Sequence, residues 1–263
     1  LVSVATDPEA TQTRVSVYVK HDPEPFNTVG DYRRSIIRSL YSIMLNNRLS
    51  EIADDPDAPF LEAGVGRTGL VRNAEVNVLT ALTEPNGISR GLDAVLRETL
   101  RTREHGFAAS ELERAKRELE ASYRRAYEER SKTRSASYAQ EYGRHLLEEE
   151  ASPGIEYEYE LVTAALPDIS LDEVRAVAND YLGEENRVVT VSAPETEGSV
   201  IPDEEEILDV IEGARRARLE PYEATVTDEP LMADLPEPGR IADETTREEI
   251  GVTEWRLSNG ARV

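Results

Sequence analysis

The chain has 263 residues, 39% hydrophobic and 32% charged, with a formal net charge of −23. A field of that sign repels phosphate backbones and anionic headgroups, which argues against nucleic acid and membrane-surface partners. No apolar run reaches the roughly 20 residues that span a bilayer, so no membrane insertion is expected, and the absence of cysteine excludes disulfides, thiolate metal sites and a cysteine nucleophile.

Only Lys20, Lys116 and Lys132 are lysines, so arginine supplies nearly all of the 30 basic residues against 53 Asp and Glu. Excess carboxylate with scarce lysine suits a chain that works in high salt, where ions screen self-repulsion. An acidic protein from a GC-rich genome has the same composition. The opening Leu1-Val2-Ser3 and the ending Ala261-Arg262-Val263 read as an internal stretch of something longer.

Along the chain, Val15, Val17 and Val19 alternate within 14–20 and predict a half-buried strand, broken by Pro23 and Pro25. Residues 31–52 predict a helix whose inward face is Ile36, Ile37, Leu40, Ile43, Met44 and Leu49. After the turn-rich Asp54-Asp55-Pro56-Asp57, strands are expected over 60–67 and 71–82, joined as a hairpin. The second alternates Ala74, Val76, Val78, Thr80 and Leu82.

Two helices follow around the link His105-Gly106-Phe107-Ala108-Ala109-Ser110. Ile88, Leu92, Val95, Leu96 and Leu100 share one face of the first, and Gly106 closes it in a left-handed conformation that glycine adopts without a Cβ clash. Ser110 with Glu113 predicts a capping box for the second, which carries Leu112, Ala115, Leu119 and Tyr123. Further helices are expected over 133–150 and 155–166. Another runs from the Ser170–Glu173 box to Gly183, and a last strand covers 187–193.

A hairpin followed by consecutive helices predicts an α+β fold, mainly antiparallel sheet covered by helices, as one domain over 1–194. Residues 195–250, dense in Asp, Glu and Pro, read as an acidic linker with one short helical pattern at Ile207, Leu208, Ile211, Ala214 and Ala217. Residues 251–263 read as strand, Asn259-Gly260 turn and strand start of a further, cut-off domain.

Three strings carry a resemblance. Asn47-Arg48-Leu49-Ser50-Glu51-Ile52 ends the first helix, Gly106-Phe107-Ala108-Ala109-Ser110-Glu111-Leu112 joins the central pair, and Leu257-Ser258-Asn259-Gly260 restarts a domain. Together with the element order they resemble the insulinase/pitrilysin (M16) zinc metallopeptidase family, and within it the non-catalytic second domain of a long bacterial member. The resemblance implies four similar α+β domains forming two halves around a peptide chamber, with residues 195–250 as the hinge. It implies a LuxS/mitochondrial-processing-peptidase-like fold. Zinc would be held elsewhere, by an inverted H-x-x-E-H helix and a downstream Glu in the family's first domain, and no cofactor is expected in this segment. Partners would be a peptide substrate and the other domains of the same polypeptide, in a bacterial periplasm or envelope. An assembly subunit of an inactive homologue, or a stand-alone peptide-binding module, are the rival functions.

The histidines bear this out at the level of sequence. His21, His105 and His145 never fall at helical ligand spacing, and Arg101-Thr102-Arg103-Glu104-His105 puts a guanidinium, which has no free lone pair, at the first ligand position of the inverted motif. Gly64-Val65-Gly66-Arg67-Thr68-Gly69 spells G-x-G-x-x-G, but a strand follows it where a nucleotide site needs a helix. Glycines in a strand instead mark a bulge or a close approach by another backbone. By resemblance, Ala63, Gly64, Val65 and Gly66 would be an edge that a substrate peptide joins as an added strand; the alternative is a hairpin edge with no ligand. The runs Glu148-Glu149-Glu150 and Asp203-Glu204-Glu205-Glu206 lack calcium-loop spacing and read as solvated helix ends.

Overall fold

The computed structural model describes residues 1–195, 198–224, 232 and 239–263. The chain divides into two compact units, Leu1–Ala224 and Thr225–Val263.

In the first unit, β1 (Val2–Asp7), β2 (Thr13–His21), β3 (Glu62–Val71), β4 (Ala74–Thr83) and β5 (Arg187–Pro194) form one sheet in the order β1-β5-β2-β4-β3. Every pairing is antiparallel except β1 with β5. The register explains the alternation in β2. Val15 lies opposite Ala81 and Val191, and Val17 opposite Leu79 and Val189. All six are buried in the single apolar core. On the reverse face Ser16 pairs with Thr80, their hydroxyls 2.9 Å apart.

The core-facing set of β4 is thus Asn77, Leu79, Ala81 and Thr83, whereas the sequence pattern picks out the other set. β4 lies between β2 and β3, with Val76 on the reverse face also buried, and a strand apolar on both sides gives no clean alternation. β1 is exposed along most of its length, so no hydrophobic pattern announces it. β3 runs on through Thr68 and Gly69, where the sequence suggested a gap, and its register shifts between Gly69 and Val71.

Helix α1 (Val29–Ala53) starts on a capping box. Asp31 N–H donates to Thr28 Oγ1 at 3.1 Å, and Thr28 N–H donates to Asp31 Oδ2 at 2.9 Å. Helices α2 (Ile88–His105) and α3 (Ala109–Glu128) flank Gly106, whose φ of +73° is open to glycine and costly for other residues. The expected Ser110–Glu113 box is not formed. The helix starts two residues earlier, on Ala108, which has no hydroxyl to offer, and Glu111 Oε2 accepts from Ala108 N–H at 2.7 Å.

Helices α4 (Ser135–Glu148), α5 (Ile155–Ala165), α6 (Leu171–Ala176) and α7 (Ala178–Tyr181) follow, with Ser170 and Glu173 capping α6 as expected. Gly183 is required for space, since a Cβ there would lie 2.9 Å from Val19 Cγ1.

Helix α8 (Glu204–Arg216) lies in the stretch expected to be linker, yet it buries Ile207, Ile211 and Ala214 and packs on α2. Its acidic start is a cap: Glu206 N–H donates to Asp203 Oδ1 at 2.9 Å, and carboxylates there also suit the helix dipole. The compact unit therefore runs thirty residues beyond Pro194, to Ala224. Pro230, Pro236 and Pro238 of the expected linker fall outside the described residues.

In the second unit β6 (Ile241–Arg247) pairs antiparallel with β7 (Val252–Leu257). The turn at Asn259-Gly260, with Gly260 at φ +86°, sends the chain back. Val263 and Trp255 then exchange backbone hydrogen bonds of 2.9 and 2.8 Å.

Candidate functional site

β3 is an edge strand, which puts Ala63, Gly64, Val65 and Gly66 at the border of the sheet. In an antiparallel ladder both backbone groups of a residue point to the same side, and the side alternates along the strand. Val65 turns its N–H and C=O away from β4. Both are taken by a side chain of α1: Val65 N–H donates to Asn46 Oδ1 at 2.7 Å, and Asn46 Nδ2 donates to Val65 O at 3.1 Å. Ala63 and Arg67, two residues to either side, face outward by the same alternation.

Past Asn46 the gap between α1 and the edge widens into a cleft of about 600 Å³. Ser35, Ser39 and Ser42 line it from α1, and Arg67, Thr68 and Gly69 from β3. Its charges are Glu24, Asp31, Glu75 and Glu150 against Arg38 and Arg67. Arg67 is already shared, with Nε 2.8 Å from Glu75 and Nη1 3.2 Å from Glu24, while Arg38 holds the other Glu24 oxygen at 2.6 Å. Glu24 is partly buried, which by itself raises its pKa, but these two guanidiniums outweigh that and hold it below the ordinary range. Asp180 is held above its ordinary value, chiefly by burial.

A second cluster lies at the C-terminal end of α1. Arg48 and Glu98 are each 2% exposed, with Nη1 3.0 Å from Glu98 Oε1. Arg48 Nε and Nη2 reach the two Glu111 oxygens at 2.7 and 2.8 Å, and Nη2 also donates to Gly106 O at 3.2 Å. Burial pulls the Arg48 pKa down, but the Glu111 and Glu98 carboxylates more than offset it and leave it raised. The Arg48 guanidinium lies over the rings of Phe107 and Tyr222, with centroids 4.7 and 4.1 Å from Cζ. The Tyr222 hydroxyl donates to Glu51 Oε2. Burial, then Glu51, pushes the Tyr222 pKa up to about 12.

This network locks α1, α2 and the Gly106 turn to the strap that follows α8. Four of the five guanidinium N–H groups are taken by two carboxylates and a carbonyl, which makes Arg48 a structural tie. Sequence reasoning missed Asn46, Glu98 and Tyr222 altogether. The available signal was Arg48 itself, which falls at helical spacing among the buried Tyr41, Met44, Leu45 and Leu49.

The histidines are dispersed over β2, α2 and α4. His105 Nε2 lies 2.8 Å from Leu219 O, and His145 Nδ1 lies 2.7 Å from Glu150 O. Arg101, at the first position of the near-motif, pairs with Glu98. Among the described residues no group of three or more His, Asp and Glu side chains converges on a point where a metal would bind. These residues do not fit a zinc site.

No protein-family model matches the chain. A curated relative, a "Zinc protease PQQL-like" from Arabidopsis thaliana, is 27% identical over 261 residues; the match covers 99% of this chain but only 24% of the relative's length. The crystal structure of the periplasmic protease PqqL from Escherichia coli superposes with a TM-score of 0.78 at 16% identity, over 99% of this chain and 29% of that one. The ferredoxin protease FusC, solved in complex with Arabidopsis ferredoxin, gives 0.63 at 18% identity, over 100% and 30%. A peptidase M16 inactive domain from Pseudomonas fluorescens gives 0.53 at 16% identity, over 76% and 45%. The chain thus spans about a quarter of the curated relative it matches. The chain has the fold of these peptidase domains, M16 among them, and its sequence strings resemble the same group of proteins.

Proposed function

We propose that this chain is a non-catalytic domain of a longer M16-type zinc metallopeptidase, where it completes the peptide chamber and docks substrate at the outer edge of β3. Peptide hydrolysis would belong to a first domain outside this sequence, where zinc would supply a Lewis acid for water and a glutamate would serve as base. The other domains of the same polypeptide are its standing partners. Of the 195–250 stretch expected as hinge, the part between Ala224 and β6 would join the halves, and the hairpin of β6 and β7 would open the next domain. The setting is periplasmic or envelope-associated, as the description of the Escherichia coli relative suggests. No helix among the described residues is long and apolar enough to cross a membrane.

The observation that carries this reading is an edge strand bordered by a cleft of about 600 Å³. Main-chain hydrogen bonds to the outward groups of β3 supply affinity without demanding a particular sequence. The carboxylates of the cleft are all paired, Asp31 with Arg34 and Glu150 with Arg144, so it is the chain's net charge of −23 that favours peptides with lysine or a free amino terminus. The test is calorimetric titration of the 263-residue chain with the hexapeptide Lys-Val-Thr-Val-Thr-Lys, which should bind in the micromolar to millimolar range, while its all-glutamate counterpart should not. Absence of binding by both peptides removes the docking role. Stoichiometric zinc in the purified chain would overturn the assignment of the metal to another domain.

A further inference from the structure

Asn46 completes a ladder that the sheet itself leaves open. Its carboxamide presents an acceptor and a donor with the spacing of a peptide unit, and through them it bonds Val65 at 2.7 and 3.1 Å. The side chain is in effect a one-residue strand added to the edge. It projects from the same stripe of α1 as Ser35, Ser39 and Ser42, at helical steps of four, three and four residues. Three small side chains along that stripe leave the cleft open, and the larger amide shuts it. The glycines of β3 divide at the same place. A Cβ at Gly64 would lie 3.5 Å from Asn46 Oδ1, whereas one at Gly66 or Gly69 would meet nothing within 4 Å.

We infer that Asn46 is a register stop: a docked peptide pairs with the outward backbone of Arg67 and Gly69 and ends where Asn46 already occupies Val65. The inference rests on the proposed docking of peptide at β3. It moves the contact along the strand, from Ala63–Gly66 toward Arg67–Gly69, and makes Asn46 a specificity-determining residue that limits how many substrate residues the edge holds. Substituents on an added strand would rise over Gly66 and Gly69, where the space is free. Their bulk is not selected there, so the stop acts on length and register more than on side-chain identity.

Residue-resolved amide exchange on the full 263-residue chain, with and without the hexapeptide Lys-Val-Thr-Val-Thr-Lys, tests the stop. In the unaltered chain the peptide should slow exchange at Arg67 and Gly69 by at least about tenfold and leave Val65, already bonded, unchanged. In Asn46→Ala the Val65 amide should exchange at least about tenfold faster without peptide and become protected with it. Asn46→Asp retains an acceptor for Val65 N–H but no donor for its carbonyl. It should keep Val65 slow, and it serves if the alanine variant loses its thermal transition. Peptide protection reaching Val65 in the unaltered chain, with loss of the Asn46 side-chain amide bond, overturns the stop while leaving docking intact. Protection at neither Arg67 nor Gly69 in any variant removes docking, and the stop with it.

Discussion

Arg48 is the residue on which most of the local architecture converges. It compensates two carboxylates that have left water, and removing one partner of a buried ion pair costs far more than the pair itself contributes. Arg48→Ala should therefore lose about 3–5 kcal/mol in urea unfolding, because Glu98 and Glu111 are left buried without their shared cation. Arg48→Lys should recover only part of this, since a point charge cannot hold both Glu111 oxygens in the forked geometry of a guanidinium.

Glu173 sits at the opposite extreme, near the surface. The Arg33 guanidinium, 2.6 Å away, and then the Ser170 amide and hydroxyl hold its pKa at about 2, below the ordinary 4.5. A folded-state pKa that is depressed contributes stability above 4.5 and loses it as pH falls toward about 2. Thermal melts of the unaltered chain should thus drop over that window more steeply than those of Glu173→Gln, with little difference in this pH dependence above pH 5. Both groups are more than a third exposed, so the effect is small beside that of Arg48.

Among the elements, the start of α3 and the whole of α8 separate local signals from tertiary ones. Ser110 and Glu113 satisfy the spacing of a capping box, yet Glu113 stays exposed and lies 3.8 Å from Lys116. Glu111 takes the N-terminal role because Arg48 is already placed to hold its carboxylate, with the Ala108 amide at 2.7 Å. Ser110→Ala should consequently be within about 0.5 kcal/mol of neutral, while Glu111→Ala should destabilise by several-fold more, both read by denaturant midpoint. Helix α8 shows an apolar stripe in sequence, but its surroundings of Glu, Asp and Pro suggest a linker. Burial against α2 makes it part of the core: Ile207 is fully buried, and Ile207→Ala should cost about 2–5 kcal/mol. A detached linker helix would show no such loss.

At the scale of the whole molecule, the net charge of −23 works against compaction, and salt relieves it. The melting temperature should rise between low and molar KCl. A flat response would remove the high-salt interpretation of the composition. Much of this fold was legible before any coordinates. The valine alternation of β2, the stripe of α1, the Gly106 turn, the Ser170 cap and the Asn259-Gly260 hairpin each depend on nearest neighbours along the chain, and local sterics and hydrogen bonding decide them. The string around Arg48 and Gly106 also carried the family resemblance. The sequence by itself thus determined the α+β class, most helices, and the absence of metal-ligand spacing among the histidines. Only the tertiary structure decided that β1 joins the sheet in parallel, which face of β4 turns inward, that α8 belongs to the core, and that Asn46 and Val65 share a ladder nineteen residues apart. Each of these joins segments distant in sequence. Their partners are selected by burial and by the need to pair every buried backbone group, conditions that no local window contains.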